Sequence, residues 1–385
     1  MALTRQRLLQ TKIESSYGVD SSPAGTDAVL VRSLEVTPLE SEMVSRDLVR
    51  NFMGNYDQLL ANTRVSLTFE AEIAGSGAAA TASRLDSLLR ACGLEPVTTS
   101  TAVTGSAQAG SAGSITLASG ASSADNAYRG MTVTINGGTG NGHKGLIVAY
   151  NGTTKVATVK PSTATFVPGA SSAYVISANT RYLPLSNTFQ STTIYFNNDG
   201  VLHKCLGCRG NVALNFTVSE VPVFNFTFTG IYSGPTDTGQ PTTVYSNQTS
   251  PVLFKAGNSV AVSLFDYSAA KVSSLSVDLA NETNYRELVN ASKEVLMVNR
   301  APTGEAVIEA TTIAQKDWFT VASSNTLGLV SLQHGTTAGN IVSLVLPSVD
   351  LGGPSYSDDS GIQMLNMPLT PLPTSGNDEF VLTFQ

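Results

Sequence analysis

Charged side chains are scarce in this sequence. Asp, Glu, Lys and Arg together make up 13% of the 385 residues, about half the share that is usual for a soluble domain. The net charge is −7, and an acidic chain does not hold phosphate backbones by displacing their counterions. The composition therefore argues against a nucleic-acid-binding protein. It is typical of a β-rich protein or of one whose surface is covered by its neighbours.

Cysteine and long apolar runs are scarce or missing as well. The three Cys residues are too few for the disulfide framework of a small secreted domain. No run of about 18 apolar residues is present, so no membrane span is expected. The first residues also lack the apolar core of a signal peptide. We expect a chain that is made and folded in a reducing cytoplasm.

Catalytic and metal-binding patterns are weak. Three His residues and no Gly-x-Ser-x-Gly elbow leave nucleophilic catalysis without support. His203, Cys205 and Cys208 have the spacing of one zinc knuckle, but a structural zinc site needs four ligands. We interpret this segment as a turn that carries two thiols, and we predict no metal and no cofactor.

Two pairs of carboxylates leave one enzymatic alternative open. Glu70/Glu72 and Glu305/Glu309 could form the acid pair of a glycoside hydrolase. Within each pair the residues are an even number of positions apart in a predicted strand, so both side chains lie on one polar face. A solvated strand face is the favoured interpretation, and we predict that the protein is not an enzyme.

One pattern occurs twice, once near each end of the chain. RDLV at 46–49 matches RELV at 286–289 with an offset of 240, and FEA at 69–71 matches IEA at 308–310 with an offset of 239. A weaker similarity relates 210–218 to 361–369 and 224–228 to 380–384. The chain is therefore predicted to carry two copies of one domain, which can replace two subunits of a symmetric ring.

Apolar residues alternate with polar ones in most segments, which predicts an all-β fold. In the strand over 63–74, Val65, Leu67 and Phe69 point one way while Thr68 and Glu70 point the other. Each copy also has one short predicted helix, at about 81–92 and 316–324. The predicted fold is therefore two tandem β-sandwich or partial-barrel domains, each with a short flanking helix.

An insertion interrupts the first copy. The composition from 97 to 180 changes to Gly, Ser, Ala and Thr, and the second copy has no counterpart to it. Short apolar runs separated by Gly-rich turns predict a small antiparallel module there. The predicted division is 1–96 with 181–235 for the first domain, 97–180 for the module, 236–249 for a linker and 250–385 for the second domain.

The first copy resembles a known family. LTRQRLLQTKIESSYGVDSSPAGTDAVLV, EVTPLESEMVSRDLVRNFMGN, VSLTFEAEIAGSG and LLRACG resemble the major tail tube proteins of long, non-contractile-tailed (siphovirus-type) bacteriophages. The resemblance covers 3–95 and extends to 181–232, and the second copy matches the same domain more weakly.

The resemblance implies a structural virion protein rather than an enzyme. Tube domains of this family join their inner sheets side by side into a barrel around a lumen, and the rings stack into a tube. An N-terminal arm and a long hairpin loop reach the adjacent ring. Many members carry one domain per chain and form hexamers, so two domains in one chain favour a homotrimer with pseudo-sixfold symmetry.

The same resemblance implies the partners and the location. The partners would be further copies of the chain, the tail terminator, tail tip and tape measure proteins, and DNA in transit to the host, with no membrane contact. The location would be the virion tail, assembled in the cytoplasm of the host bacterium. The alternative is a β-rich virion adhesin or carbohydrate-binding decoration protein, although the module holds few aromatics for sugar binding: Tyr128, Tyr150, Phe166 and Tyr174.

Two sets of site residues follow from strand alternation and the resemblance together. The predicted lumen-lining residues are Ser66, Thr68, Glu70, Glu72, Glu305, Glu309 and Thr311. The predicted arm, 1–27, and the segments 39–62 and 281–302 are too long for hairpin turns, and they are expected to reach the neighbouring ring. The predicted inter-ring contacts in these segments are Val44, Leu48, Phe52, Leu59, Val295 and Leu296.

Overall fold

The computed structural model describes residues 6–160, 167–245 and 248–385. Strands make up 52% of the chain and helices 4%, which confirms the predicted all-β fold. Residues 1–5 of the predicted arm lie outside the described residues.

The elements before residue 238 are given in chain order. A 3-10 turn, Gly25–Asp27, precedes the second strand. The elements are β1 (Arg7–Ile13), β2 (Ala28–Val29), β3 (Arg32–Ser45), β4 (Gln58–Glu72), α1 (Asp86–Ala91), β5 (Leu94–Thr99), β6 (Val103–Ser106), β7 (Ala109–Ser111), β8 (Ser114–Thr116), β9 (Thr132–Gly137), β10 (Lys144–Asn151), β11 (Val156–Lys160), β12 (Ala173–Ile176), β13 (Asn179–Pro184), β14 (Thr192–Asn198), β15 (Val201–Thr217) and β16 (Val223–Asp237).

The remaining elements follow residue 250. They are β17 (Ser259–Leu264), β18 (Val272–Asp278), β19 (Asn281–Arg286), β20 (Glu294–Arg300), β21 (Thr303–Glu309), α2 (Trp318–Ser323), β22 (Gly328–His334), β23 (Val342–Leu351), β24 (Ser355–Asp359), β25 (Ile362–Pro371) and β26 (Val381–Phe384). We use unit one for 6–99 with 179–237, the insert for 100–178, and unit two for 250–385.

A continuous antiparallel sheet runs through both units. Its strand order is β3–β4–β16–β15–β18–β21–β25–β24, and we call it sheet 1. Unit one supplies the strands as far as β15, and unit two supplies the strands from β18 onward. At the junction Phe216 lies opposite Leu275 and Leu214 opposite Val277, and all four side chains are buried. The two units therefore share one apolar core.

The core face of sheet 1 is covered by a second antiparallel sheet. Sheet 2 has the order β5–β13–β26–β23–β22–β17. The C-terminal strand β26 lies between the two units, so that Phe384 pairs with Thr180 of unit one and with Val342 of unit two. Phe384 is fully buried, so β26 connects the sheet 2 strands of unit one with those of unit two.

The register identifies which strands of the two units are equivalent. In unit one Glu70 of β4 lies opposite Asn225 of β16, and in unit two Glu309 of β21 lies opposite Met364 of β25. Strand β16 is therefore equivalent to β25. The weaker sequence similarity, which paired β15 with β25 and β16 with β26, is wrong in both pairings because many strands here share the same period-two alternation.

Two segments that the sequence suggested were loops are β-hairpins. Segment 39–62 consists of the outer ends of β3 and β4 joined by a loop over 46–57, and 281–302 is mostly the pair β19–β20. Strand β1, expected in a free arm, pairs with β14 and β2 of its own chain, and its Leu8 and Leu9 are buried. Residues 7–13 therefore belong to the body of unit one and are not available to a neighbouring ring.

The insert forms its own sheet, in the order β6–β12–β9–β10–β11–β8–β7, around a separate core. It does not stand free of the body, because Leu146 and Val148 pack with Val345 and Val381 of sheet 2. Polar contacts between the insert and the body add to this apolar packing. The Thr132 amide donates to the Gln385 side-chain oxygen over 2.9 Å. Other contacts surround Arg181, whose guanidinium donates to a carbonyl of the insert and whose pKa is lowered to about 10 by burial.

A deletion tests how much the body depends on the insert. Thr99 and Asn179 lie directly opposite each other, so an Asn-Gly turn can replace residues 100–178. We expect the shortened chain to fold with reduced stability, because exposing a buried Val costs roughly 1.5–3 kcal/mol. Urea unfolding measures the loss. The deletion leaves Val345 and Val381 exposed, which lowers the solubility of the folded chain. The matched control adds Val345→Thr and Val381→Thr to the deletion, and it should be more soluble than the simple deletion. If the simple deletion is as stable in urea as the full-length chain, the contact between the insert and sheet 2 does not stabilise the body.

Candidate channel face and assembly surfaces

The face of sheet 1 that points away from the core is polar. On β4, Val65, Leu67 and Phe69 are buried in the core, as the alternation predicted, while Thr68 is exposed and Glu70 half-buried on the opposite face. Phe69 stacks at 5.5 Å and 6.0 Å from the rings of two β16 phenylalanines. This packing fixes the orientation of β4, so the polar side chains of β4 have only the other face available.

Cross-strand pairing places the predicted acidic residues of both units on this one face. The row that starts at Glu72 runs through Val223, Asn215 and Ser276 to Glu305. Directly opposed residues of antiparallel strands lie on the same face. Ser66, Thr68, Glu70 and Glu309 share that face with Glu72 and Glu305, because they are an even number of residues away along their own strands.

Thr311 does not belong to this face, which corrects its assignment. Strand β21 ends at Glu309, so alternation no longer determines the direction of the Thr311 side chain. Its hydroxyl accepts a hydrogen bond of 3.0 Å from the indole of Trp318 and donates to the Lys316 carbonyl over 3.2 Å. Because Trp318 is buried, Thr311 supplies the partner that the indole N–H needs.

Cations that the sequence analysis did not single out also lie near this face. Arg32 donates to Glu70 over 2.9 Å, and Lys271 pairs with Glu309 at 2.8 Å. Arg32 and Lys271 are related by the same offset of 239 as Glu70 and Glu309, so each unit has the same ion pair. Extending the repeat alignment a few residues upstream would have revealed this pair.

A further pair lies at the end of the face towards the first hairpin. Arg64 and Ser66 both donate to the Glu40 carboxylate. The hydrogen bond from Arg64 is the main reason that the pKa of Glu40 lies below its ordinary value. Exposed ion pairs contribute little stability, so their main effect is on the local charge. They neutralise some of the carboxylates and leave a mixed polar surface with an acidic excess around Glu72 and Glu305.

The hairpin tips carry apolar side chains. Leu48 and Leu288 are each 51% exposed, and Val49 and Val289 are almost fully exposed. Of the other predicted inter-ring residues, Val44, Phe52 and Leu59 are exposed, and Leu296 is half-buried.

Val295 is fully buried in its own chain, which corrects its assignment as an inter-ring contact. Its carbonyl accepts a hydrogen bond from Arg209 over 2.8 Å, and its amide donates to the Tyr17 hydroxyl. The sequence pattern marked Val295 as apolar but could not show that its own chain covers it.

The two outermost strands of sheet 1 have unused edges. Within the described ranges, β3 pairs only with β4 and β24 pairs only with β25. An unpaired strand edge presents a row of backbone donors and acceptors that can pair with another chain. Sheet 1 is therefore open at one end in unit one and at the other end in unit two.

The remaining candidate sites do not assemble into a chemical centre. Cys205 and Cys208 lie buried side by side on β15, where burial raises the pKa of Cys208, and His203 stacks on Phe196. Among residues 6–160, 167–245 and 248–385, no group of three or more His, Cys, Asp or Glu could hold a metal ion. In the same ranges no helix is long and apolar enough to cross a membrane.

Comparison with known proteins identifies the family of the chain. No curated protein matches the sequence. The family model described as phage tail tube protein matches residues 4–371, which covers unit one, the insert and unit two as far as the end of β25. The chain therefore belongs to the phage tail tube protein family, as the sequence of the first copy indicated.

Proposed function

We propose that three copies of this chain close into a ring of six tube units, and that such rings stack into the channel for DNA delivery. As a family member the protein is a structural component of the virion tail. The tail terminator, tail tip and tape measure proteins would be its partners in that tail. A structural role, rather than catalysis, agrees with the polar, ion-paired surface around its acidic residues.

One observation carries this proposal: a sheet of two equivalent units has an open edge at each end. Within the chain, β15 of unit one pairs with β18 of unit two. Strand β24 occupies the place of β15 in unit two, and β3 occupies the place of β18 in unit one. Repeating the same step from chain to chain brings β24 against β3 of the next copy. A head-to-tail step of this kind generates a closed ring when its rotation divides a full turn, and we propose a turn of six units.

Electron microscopy of the purified, assembled protein tests the ring. We expect tubes with a central channel, and averaging without imposed symmetry should give three chains in each ring. The insert supplies the marker, because it occurs once per chain and should appear as three peripheral densities. Six inserts around one ring, or compact particles without a channel, would contradict the proposal.

The polar face of sheet 1 is the surface that we assign to the channel wall. Sheet 2 covers the opposite face, and the insert packs on sheet 2, so both would lie on the outside of the tube. Hydrophilic side chains let water fill the bore, and the acidic excess disfavours binding of the phosphate backbone. Charges act over about 8 Å at physiological salt. A DNA duplex in a narrow channel would pass within that distance of the wall.

Charge reversal tests this assignment while sparing the two ion pairs. Glu72→Lys with Glu305→Lys should slow DNA ejection from phage particles, most strongly at low salt, because cations on the wall attract the phosphates. Ejection rates at two salt concentrations measure the effect. The control pair Glu95→Lys and Asp125→Lys makes the same change in charge away from this face, because Glu95 belongs to β5 of sheet 2 and Asp125 to the insert. Equal ejection rates for the two double variants at low salt would show that Glu72 and Glu305 do not line the channel.

We assign the exposed hairpin tips to contacts between stacked rings. The tip of the first hairpin projects Leu48 and Phe52 into solvent, and exposed apolar clusters of this kind mark interaction surfaces. Leu48→Ser with Phe52→Ser is expected to leave rings intact but to shorten the tubes strongly, as measured by electron microscopy. Val19→Ser with Val218→Ser, which also changes exposed apolar residues, should leave tube length unchanged. Tubes of normal length from the tip variant would exclude this role.

A further inference from the structure

The second hairpin, β19–β20, lies on unit one of its own chain. The Asn281 side-chain amide donates to the Cys92 carbonyl over 2.7 Å and to the Gly210 carbonyl over 3.2 Å. Met297 packs against Gly93 so closely that a Cβ at Gly93 would lie 2.9 Å from its sulfur. The base of this hairpin therefore fills a cleft between the C-terminal end of α1 and the middle of β15.

Further contacts hold the same hairpin along its length. The Tyr285 hydroxyl donates to the Thr63 carbonyl over 2.9 Å. The Tyr17 ring lies under the Arg209 guanidinium, and both residues bind the backbone of Val295. Burial raises the pKa of Tyr17 to about 12. This contact is therefore an interface between two equivalent units, which here belong to the same chain.

The first hairpin is equivalent to the second but has no such partner. Glu42 lies opposite Ala61 just as Asn281 lies opposite Arg300, and both correspondences have the offset of 239 that relates β4 to β21. Val44 follows Glu42 on the same face as Thr283 follows Asn281. One extra residue in β20 makes Met297, rather than Val298, the cross-strand partner of Thr283, so Leu59 takes the place of Met297. Val44 is 51% exposed and its cross-strand partner Leu59 is 56% exposed.

Unit two has an open cleft at the place that the second hairpin fills in unit one. The cleft lies between α2 and the start of β24, and its lining includes Phe319, Ser323 and Pro354. The two helices end in the same way, because the second residue after each helix, Gly93 and Asn325, has a left-handed backbone, with φ of +77° and +49°. The lining residues Ile313 and Phe319 and the neighbouring residue Tyr356 are exposed apolar side chains.

We propose that the base of the first hairpin occupies this cleft on unit two of the next chain in the same ring. The occupant is thus a second copy of this protein, and the contact repeats between chains what the second hairpin does within one chain. Glu42, Val44, Leu59 and Ala61 form the face that docks. This inference rests on the proposed ring, and it assigns Val44 and Leu59 to a lateral contact instead of a contact between rings.

Thiol cross-linking tests the contact directly. Glu42→Cys stands where Asn281 stands in the second hairpin, and Ser324→Cys stands where Cys92 stands beside it. With a short bis-thiol reagent, assembled protein carrying both substitutions should give covalent species that stop at the closed ring of three chains. The wild type, whose cysteines are buried, and the pair Glu42→Cys with Glu220→Cys should give no covalent multimers on a denaturing gel.

The other outcomes separate this inference from the proposed function. A ladder that extends beyond three chains would place the contact between rings and overturn the inference. Tubes that form normally but do not cross-link would overturn it while leaving the proposed function intact. If the wild-type protein forms no tubes at all, both proposals fail together.

Variants on the two faces of the first hairpin provide an independent test. Val44→Ser with Leu59→Ser should prevent ring closure, so that sedimentation shows monomers. Met43→Ser with Leu60→Ser changes a cross-strand pair on the opposite face that is at least as exposed on average, and it should leave rings intact. Thermal unfolding of both variants serves as the folding check. Loss of rings in the second variant but not in the first would overturn the assignment of the docking face.

Discussion

The pairing of β15 with β18 is the interaction on which the rest of the structure depends. It joins the sheets of two equivalent units, so that Phe216 and Leu214 of one unit pack with Leu275 and Val277 of the other in a single core. Because an antiparallel sheet alternates its side chains between two faces, this one junction also determines the common face on which the polar residues of both units lie. After this junction has formed, the unpaired edges of sheet 1 are those of β3 and β24.

The polar face combines attraction and repulsion within short distances. The duplicated pairs Arg32–Glu70 and Lys271–Glu309 cancel charge locally, while Glu72 and Glu305 retain an acidic excess along one cross-strand row. Exposed pairs of this kind add little to the free energy of folding. Their presence in both units indicates a role in the charge of the surface.

The two hairpins show how one structural element meets two different surroundings. The second hairpin packs on its own chain and buries Val295 and Met297. The first hairpin has the same position in its unit but keeps Met43, Val44, Leu59 and Leu60 exposed. Within one chain the base of the second hairpin is covered and the base of the first is not; in the proposed ring, the next copy of the chain would cover the first. The insert takes no part in the contacts of either hairpin that are described above, since it packs on sheet 2, away from the polar face.

The sequence by itself determined the β class, the duplication, the orientation of β4 and the approximate positions of both helices. These features depend on local alternation and on repeats, which are visible without knowledge of contacts. Only the tertiary structure decided that β25 rather than β26 is the equivalent of β16, that Thr311 binds Trp318, and that Val295 is covered by its own chain. A period of two places a residue on one of two faces, but it does not say which strand lies beside it or what covers that face. Those outcomes depend on long-range pairing, above all on the junction that fuses the two units into one sheet.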